Sequence, residues 1–152
     1  MNHDRYDDDY IAGILNSVRT IAVVGASANP SRPSYGVMRF LMGAGYEVHP
    51  VNPGHAGGEI LGRAVAASLA EVPVPIDMVD VFRASDAVPG VAEQVLAMER
   101  LPKVVWMQLG VRHDGAAAKL EAAGIEVVMN RCPAIELPRL AGRIDRAQAR
   151  DA

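Results

Sequence analysis

Short apolar runs alternate with amphipathic segments along most of the chain. Five runs rich in β-branched residues predict strands that are buried on both faces, as in a parallel sheet. They cover residues 20–24, 46–51, 77–82, 103–109 and 125–129. Apolar residues recur at helical spacing before the first run and after the first, third, fourth and fifth runs, which predicts five helices. The stretch 55–75 contains Gly and Pro and predicts a crossover loop with a short helix near Ser68.

This alternation predicts the α/β class: a single-domain, Rossmann-like, doubly wound sheet of five parallel strands. The length of 152 residues fits one domain with a sizeable core. We expect an N-terminal helix packed on the domain (residues 1–19), the Rossmann-like domain itself (residues 20–142) and a polar tail (residues 143–152). In this fold ligands bind outside the carboxyl ends of the strands, so the loops that follow the strands are the candidate site.

Composition and charge argue against several classes of partner and site. The net charge of −3 argues against a nucleic-acid partner, which requires a basic surface. No apolar run is long enough to span a membrane, and the acidic N-terminus does not resemble a signal peptide, so a cytoplasmic protein is expected. One cysteine and four scattered histidines predict neither an internal disulfide nor a metal site.

The loop after the first strand has features of a phosphate site. Gly25, Ala26 and Ser27 are small enough for backbone N–H groups to approach an anion, and a predicted helix N-terminus follows. Arg32 could add a paired contact to a phosphate. The alternative is an ordinary strand–helix loop. We favour a pyrophosphate site, because this fold binds phosphate at that position.

The loop does not match the dinucleotide fingerprint. GxGxxG would require glycines where the chain has Ser27 and Pro30, and no acidic residue ends the second strand to bind the ribose hydroxyls. An NAD(P)-dependent oxidoreductase, or another nucleotide-binding enzyme, remains the alternative function. In that case Arg83 could bind a 2′-phosphate.

Further candidates follow the later strands. Arg83, after the third strand, could bind a phosphate or carboxylate, or could simply be a solvated arginine. Gly110, after the fourth, would let the backbone approach a ligand. Cys132, after the fifth, precedes a helix, where a thiolate would be stabilised and could form a mixed disulfide. A buried structural thiol is the favoured interpretation of Cys132.

Five motifs, each ending or following a predicted strand, resemble the small stand-alone bacterial CoA-binding proteins. They are also similar to the N-terminal CoA-binding domain of the succinyl-CoA synthetase α subunit. The resemblance extends from about residue 18 to residue 140. The motifs are VGAS-x-x-P-x-RPSYGVM from Val24, HPVNP from His49, VDVFR from Val79, WMQLGV from Trp106 and MNRCPAIELPRL from Met129.

The resemblance implies that CoA or acyl-CoA is bound through its 3′-phospho-ADP part. Ser27, Arg32 and Tyr35 would contact phosphates. Asn52 and its neighbours would border the adenosine, with Phe82 and Arg83 on the other wall, and residues 108–110 would border the pantetheine arm. The cofactor-binding candidates are Gly25, Ala26, Ser27, Arg32, Tyr35, Gly36, Val51, Asn52, Pro53, Phe82, Arg83, Gln108, Leu109, Gly110, Asn130 and Cys132.

Catalytic motifs are not found in the sequence. No nucleophile elbow, P-loop or phospho-histidine motif of the synthetase is present, so no catalytic residue is assigned and the ligase reaction is not expected here. The expected role is that of a non-catalytic carrier, sensor or regulatory protein, with a possible protein partner that the sequence does not identify.

Overall fold

A five-stranded parallel sheet forms the centre of the computed structural model, which describes residues 1–145. The strand order β2-β1-β5-β6-β7 reverses direction at β1, as the doubly wound prediction requires. β1, β5, β6 and β7 are almost entirely buried because helices cover both faces, and their buried positions are apolar except for Asp80 of β5. The strands are β1 (Thr20–Val24), β2 (Glu47–Val51), β5 (Met78–Val81), β6 (Val104–Met107) and β7 (Glu126–Val128).

Five helices cover the two faces and produce two separate apolar clusters. One cluster joins the sheet to α1, α2 and α5, and contains the buried Trp106. The other joins it to α3 and α4. None of the helices within residues 1–145 has the length and apolar character that crossing a bilayer requires. The helices are α1 (Asp8–Ser17), α2 (Pro33–Gly43), α3 (Val88–Leu96), α4 (Asp114–Ala122) and α5 (Pro133–Arg139).

The crossover after β2 contains a hairpin that the sequence pattern did not predict. Two short antiparallel strands, β3 (Glu59–Ile60) and β4 (Arg63–Ala64), are joined by Leu61 and Gly62, both with positive φ. Such two-residue strands are too short to produce a periodic pattern, and leucine is not a typical residue for a left-handed turn position. The predicted helix near Ser68 is a single 3₁₀ turn, Leu69–Glu71.

The last helix is shorter than expected. The sequence predicts a helix from Pro133 to about residue 142, but α5 ends at Arg139 and a 3₁₀ turn, Ala141–Arg143, follows it. Pro138 lies inside α5, and its missing N–H and its ring weaken the helix there. Of the predicted polar tail, residues 146–152 lie outside the described residues.

The N-terminal segment covers the exposed edge of β7. The Tyr10 hydroxyl donates to the Val127 carbonyl (2.8 Å), and the Tyr6 hydroxyl accepts from the Met129 N–H (2.9 Å). Burial raises the pKa of both tyrosines, so both hydroxyls keep their protons. These side chains provide partners for backbone groups that an edge strand would otherwise leave unpaired.

Candidate functional site

A pocket of about 570 Å³ opens at the carboxyl ends of the strands, close to the reversal in strand order. Its volume is typical of small-molecule sites. The lining contains one arginine and one histidine but no carboxylate, which favours an anionic ligand. The lining residues are Gly25, Ser27, Arg32, Pro33, Ser34, Val37, Asn52, His55, Phe82, Gln108, Leu109, Val111 and Cys132.

Gly25 brings the end of β1 unusually close to the end of β5. Its φ is +86°, and a Cβ at this position would overlap the carbonyl oxygen of Phe82. The Gly25 N–H donates to the Val51 carbonyl (3.0 Å), which also ties the turn to β2. Only glycine combines this backbone conformation with this close approach, so the start of the loop is fixed by backbone alone.

Side chains within the loop after β1 hold its shape. The Ser27 N–H donates to the buried Ser34 hydroxyl at 3.1 Å, and the Ser27 hydroxyl accepts from the Asn29 N–H at 3.1 Å. Asn29 accepts in turn from the Ser31 N–H at 3.0 Å. These local bonds give the loop a defined conformation before any ligand binds.

The N-terminus of α2 faces the pocket. Arg32 occupies the N-cap position, its side chain makes no capping hydrogen bond, and Pro33 begins the helix. Arg32 is exposed and forms no ion pair within residues 1–145. A helix N-terminus next to an unpaired guanidinium attracts anions.

The wall after β2 is held by Asn52. Its Nδ2 donates to the Ala26 carbonyl (2.8 Å), and its Oδ1 accepts from the Gly54 N–H (2.9 Å). Asn52 therefore connects the β1 loop to a 3₁₀ turn, Pro53–His55, and that turn brings His55 into the pocket lining.

The floor of the pocket contains a buried polar pair. Gln108 is 5% exposed and lines the pocket, and Asp80, in the middle of β5, is fully buried. The Gln108 amide lies 3.0 Å from Oδ1 and 3.2 Å from Oδ2 of Asp80, within hydrogen-bonding distance. Burial raises the pKa of Asp80 well above its usual range.

The far wall is formed by Cys132 and two apolar residues. Cys132 is the N-cap of α5 and is buried, as the favoured interpretation of a structural thiol expected, yet it also lines the pocket. Val111 is a second buried lining residue, whereas Leu109 is 56% exposed. This end of the pocket is therefore less polar than the end at Arg32.

Comparison with known proteins decides the family. The family model described as "CoA binding domain" matches residues 19–138. The chain belongs to the CoA-binding domain family. The resemblance carried by the five sequence motifs is therefore confirmed at the level of the family.

Relatives of this CoA-binding domain include both small proteins and a larger ligase subunit. Bacillus subtilis YneT is 42% identical over 122 residues, which are 80% of this chain and 87% of that protein. A solved protein from Thermus thermophilus (cell-free ID.343) is 41% identical with a TM-score of 0.83, covering 89% of this chain and 99% of that one. The α subunit of an ADP-forming acetate–CoA ligase I from Pyrococcus furiosus is 38% identical over 84 residues. That match covers 53% of this chain but only 18% of the subunit.

Half of the candidate residues predicted for this CoA-binding domain line the pocket. The other half lie around it. Ala26 and Val51 are buried, and each contributes a backbone carbonyl to the hydrogen bonds that hold the site. The Asn130 side chain accepts from the Gly110 N–H (2.7 Å) and ties together the loops after β6 and β7. The remaining four residues outside the lining are Tyr35, Gly36, Pro53 and Arg83.

Five lining residues of the CoA-binding domain were absent from the sequence-based set. Pro33, Ser34 and Val37 belong to the first turns of α2, and their position just after Arg32 was a usable signal. His55 and Val111 follow turns whose geometry the sequence pattern does not specify.

Proposed function

We propose that this chain binds CoA or acyl-CoA in the pocket at the carboxyl ends of the strands and acts as a carrier, sensor or regulatory protein. The observation that carries the proposal is the region of the pocket where Gly25, Arg32 and the N-terminus of α2 come together. That region combines close backbone approach, positive charge and helix-dipole orientation, which are the features that phosphates require.

The phosphates of the 3′-phospho-ADP part fit the polar end of the pocket. Arg32 and the N–H groups at the start of α2 would hold phosphates, and His55 would lie within the same lining. The absence of Asp and Glu from the lining removes the repulsion that a polyanionic ligand would otherwise meet.

The adenosine and the pantetheine arm of CoA fit the less polar walls. Val37 and Phe82 provide apolar surface, and Asn52 adds polar groups for the adenosine. The pantetheine arm would run toward Leu109 and Cys132. CoA itself supplies the thiol that carries an acyl group as a thioester, and the residues of this chain bind and orient it.

Calorimetric titration with CoA, 3′-dephospho-CoA, NAD⁺ and NADP⁺ tests the proposal. We expect CoA to bind most tightly and dephospho-CoA more weakly, because it lacks a phosphate. Arg32→Ala should weaken CoA binding about tenfold or more, the loss of one charge-assisted contact. Arg39→Ala is the matched control, because Arg39 is exposed on the same helix but does not line the pocket.

Two outcomes would contradict the proposal. No heat of binding with CoA at millimolar concentration would exclude CoA as the ligand. Tighter binding of NADP⁺ or NAD⁺ than of CoA would favour the oxidoreductase alternative, in which Arg83 binds the 2′-phosphate.

A further inference from the structure

Asp80 is an unusual residue for its position. It lies in the central strand of the sheet, where its backbone neighbours are Val23 of β1 and Trp106 of β6. Its side chain is on the face of the sheet that packs against α1, α2 and α5. A carboxyl group at such a site costs stability unless it is protonated or hydrogen-bonded.

The polar contact of Asp80 within residues 1–145 is the Gln108 side chain. One terminal atom of that amide lies 3.0 Å from Oδ1 and 3.2 Å from Oδ2. An ionised carboxylate can only accept, so it requires the amide nitrogen at that place. A protonated carboxyl group can donate, and then the amide oxygen can occupy the same place.

Gln108 itself lines the pocket, so the end of its amide that is turned away from Asp80 is the end that can meet a ligand. With the nitrogen turned toward Asp80, the carbonyl oxygen of Gln108 faces the ligand. With the oxygen turned toward Asp80, the NH₂ group faces the ligand. The two orientations have almost the same shape, so an amide rotation can exchange them without repacking the core.

We infer that the protonation state of Asp80 sets the orientation of the Gln108 amide, so that the pocket floor offers a hydrogen-bond donor when Asp80 is neutral and an acceptor when it is ionised. Asp80 is a positioning residue in this scheme, since it acts on the ligand through Gln108. The inference rests on the proposed function in its choice of ligand, and it applies where a phosphate or carbonyl oxygen of CoA meets Gln108, because those oxygens can only accept. CoA should therefore bind best while Asp80 is neutral.

Charged neighbours do not account for the raised pKa of Asp80. β1 and β6 contribute no titratable side chain. Burial is what raises the pKa of Asp80. Arg139 bonds with Asp8 and Glu136, and Asp9 bonds with Arg143, so these charges are paired with one another. The titratable groups on the elements packed against this face include Asp8, Asp9 and Tyr10 of α1, and Tyr35 and Arg39 of α2 with Arg32 at its N-cap. They also include Glu136 and Arg139 of α5 with Cys132 at its N-cap, Tyr46 before β2, and Asp77 before β5.

The test is CoA affinity measured from pH 4.5 to 9 for the wild-type protein and Asp80→Asn. We expect wild-type affinity to fall about 5- to 20-fold with rising pH relative to the variant, which is the effect of one hydrogen bond. Asparagine can donate to Gln108 as a protonated aspartic acid does and does not titrate, so the orientation of the amide in Asp80→Asn should not change with pH. Any titration of CoA itself affects both proteins equally.

Gln108→Leu separates amide rotation from simple repulsion between an ionised Asp80 and the phosphates. If the amide transmits the effect, this variant binds CoA more weakly and loses the wild-type pH dependence. A pH dependence that persists in Gln108→Leu, or in Asp80→Asn, would overturn the inference. So would a wild-type affinity that changes with pH no more than that of Asp80→Asn.

A ligand-free measurement keeps the inference testable if CoA does not bind. The NMR shifts of the Asp80 carboxyl carbon and the Gln108 side-chain amide should titrate together, at one pH above the usual range for Asp. Independent titration of the two signals, or an Asp80 already ionised at pH 4.5, would refute the coupling. Failure of CoA binding alone would instead count against the proposed function.

Discussion

Charged side chains at the two ends of the sheet differ in whether they are paired within the chain. At the amino end, Asp77 accepts from the backbone N–H groups of Arg19 (2.9 Å) and Thr20 (3.2 Å), and Arg100 lies 3.6 Å away. At the carboxyl end, Arg32 has no ion pair within residues 1–145 and lies exposed at a helix start. The amino end satisfies its polar groups within the chain, whereas the carboxyl end leaves some of them available to a ligand.

The same contrast between paired and available polar groups is found along β5, between Asp77 and Asp80. Asp77, just before the strand, has several donors around it, while the Gln108 amide is the polar partner that Asp80 has within the described residues 1–145. Stability and binding are therefore separated along one strand, and substitutions at the two ends should affect different measurements.

The largest effect is expected from Gly25→Ala at the carboxyl end. The added Cβ would overlap the Phe82 carbonyl in a left-handed conformation, so the free energy of unfolding should fall by about 3 kcal/mol or more. Gly124→Ala is the matched control, with the same φ of +86° and no atom within 4 Å of the new Cβ. The control should cost about 1 kcal/mol in denaturant unfolding. Equal losses in the two variants would contradict the close approach.

Asp77→Ala, at the amino end of the sheet, should lower the stability of the protein without changing its affinity for CoA. It removes the buried carboxylate that accepts from two partly buried N–H groups, so we expect a loss of about 2 to 3 kcal/mol in unfolding free energy. The dissociation constant of CoA should not change while the protein remains folded. Asp77→Asn keeps one acceptor oxygen and should lose less. Weaker CoA binding by either folded variant would show that the two ends are coupled.

Asn52→Ala should lower both the free energy of unfolding and the affinity for CoA, because Asn52 connects the β1 loop to the turn after β2. We expect a loss of about 1 to 2 kcal/mol in stability and a measurable weakening of CoA binding. Asn52→Asp retains the acceptor for Gly54 but adds a negative charge to the lining, so it should weaken CoA binding further. If Asn52→Asp binds CoA as well as wild type, the phosphates of CoA lie too far from this wall for the added charge to repel them.

The smallest effect is expected from Glu47→Gln at the amino end. A hydrogen bond from His49 (3.0 Å) lowers the pKa of Glu47, but the carboxyl group is 45% exposed and solvent screens the pair. The stabilisation should be below about 0.5 kcal/mol. Because the folded pKa is depressed, this stabilisation is present above the usual glutamate pKa and is lost as pH falls through the folded value. Thermal unfolding of wild type and Glu47→Gln at neutral and acidic pH would measure the difference in stability between them. A difference that grows in acid would contradict the predicted pH dependence.

The fold was predictable because the buried strands and amphipathic helices are long enough to show their periodicity. The five main strands and five helices follow from apolar spacing, and the family motifs locate the loops. The hairpin at β3 and β4 was not predictable, since two residues show no period and Leu61 adopts a left-handed conformation that its side chain disfavours. The early end of α5 follows from Pro138, a signal that was present in the sequence but not used.

The site was only partly predictable, because a pocket depends on distances between segments that are far apart in sequence. Gly25 and Arg32 could be selected from their own loop. His55 and Val111 enter the lining through turns that return the chain toward the pocket. The pairing of Asp80 with Gln108 depends on strand register: Asp80 aligns with Trp106, which places Gln108 diagonally across.

The two tyrosine hydroxyls on β7 have a practical consequence for anyone who shortens this protein. A fragment trimmed to the matched family boundaries would begin at residue 19 and lose Tyr6 and Tyr10 together with α1. Outward-facing peptide groups of Val127 and Met129 would then be free to recruit a strand from another molecule. Such a fragment should precipitate or self-associate at concentrations where the longer chain stays monodisperse.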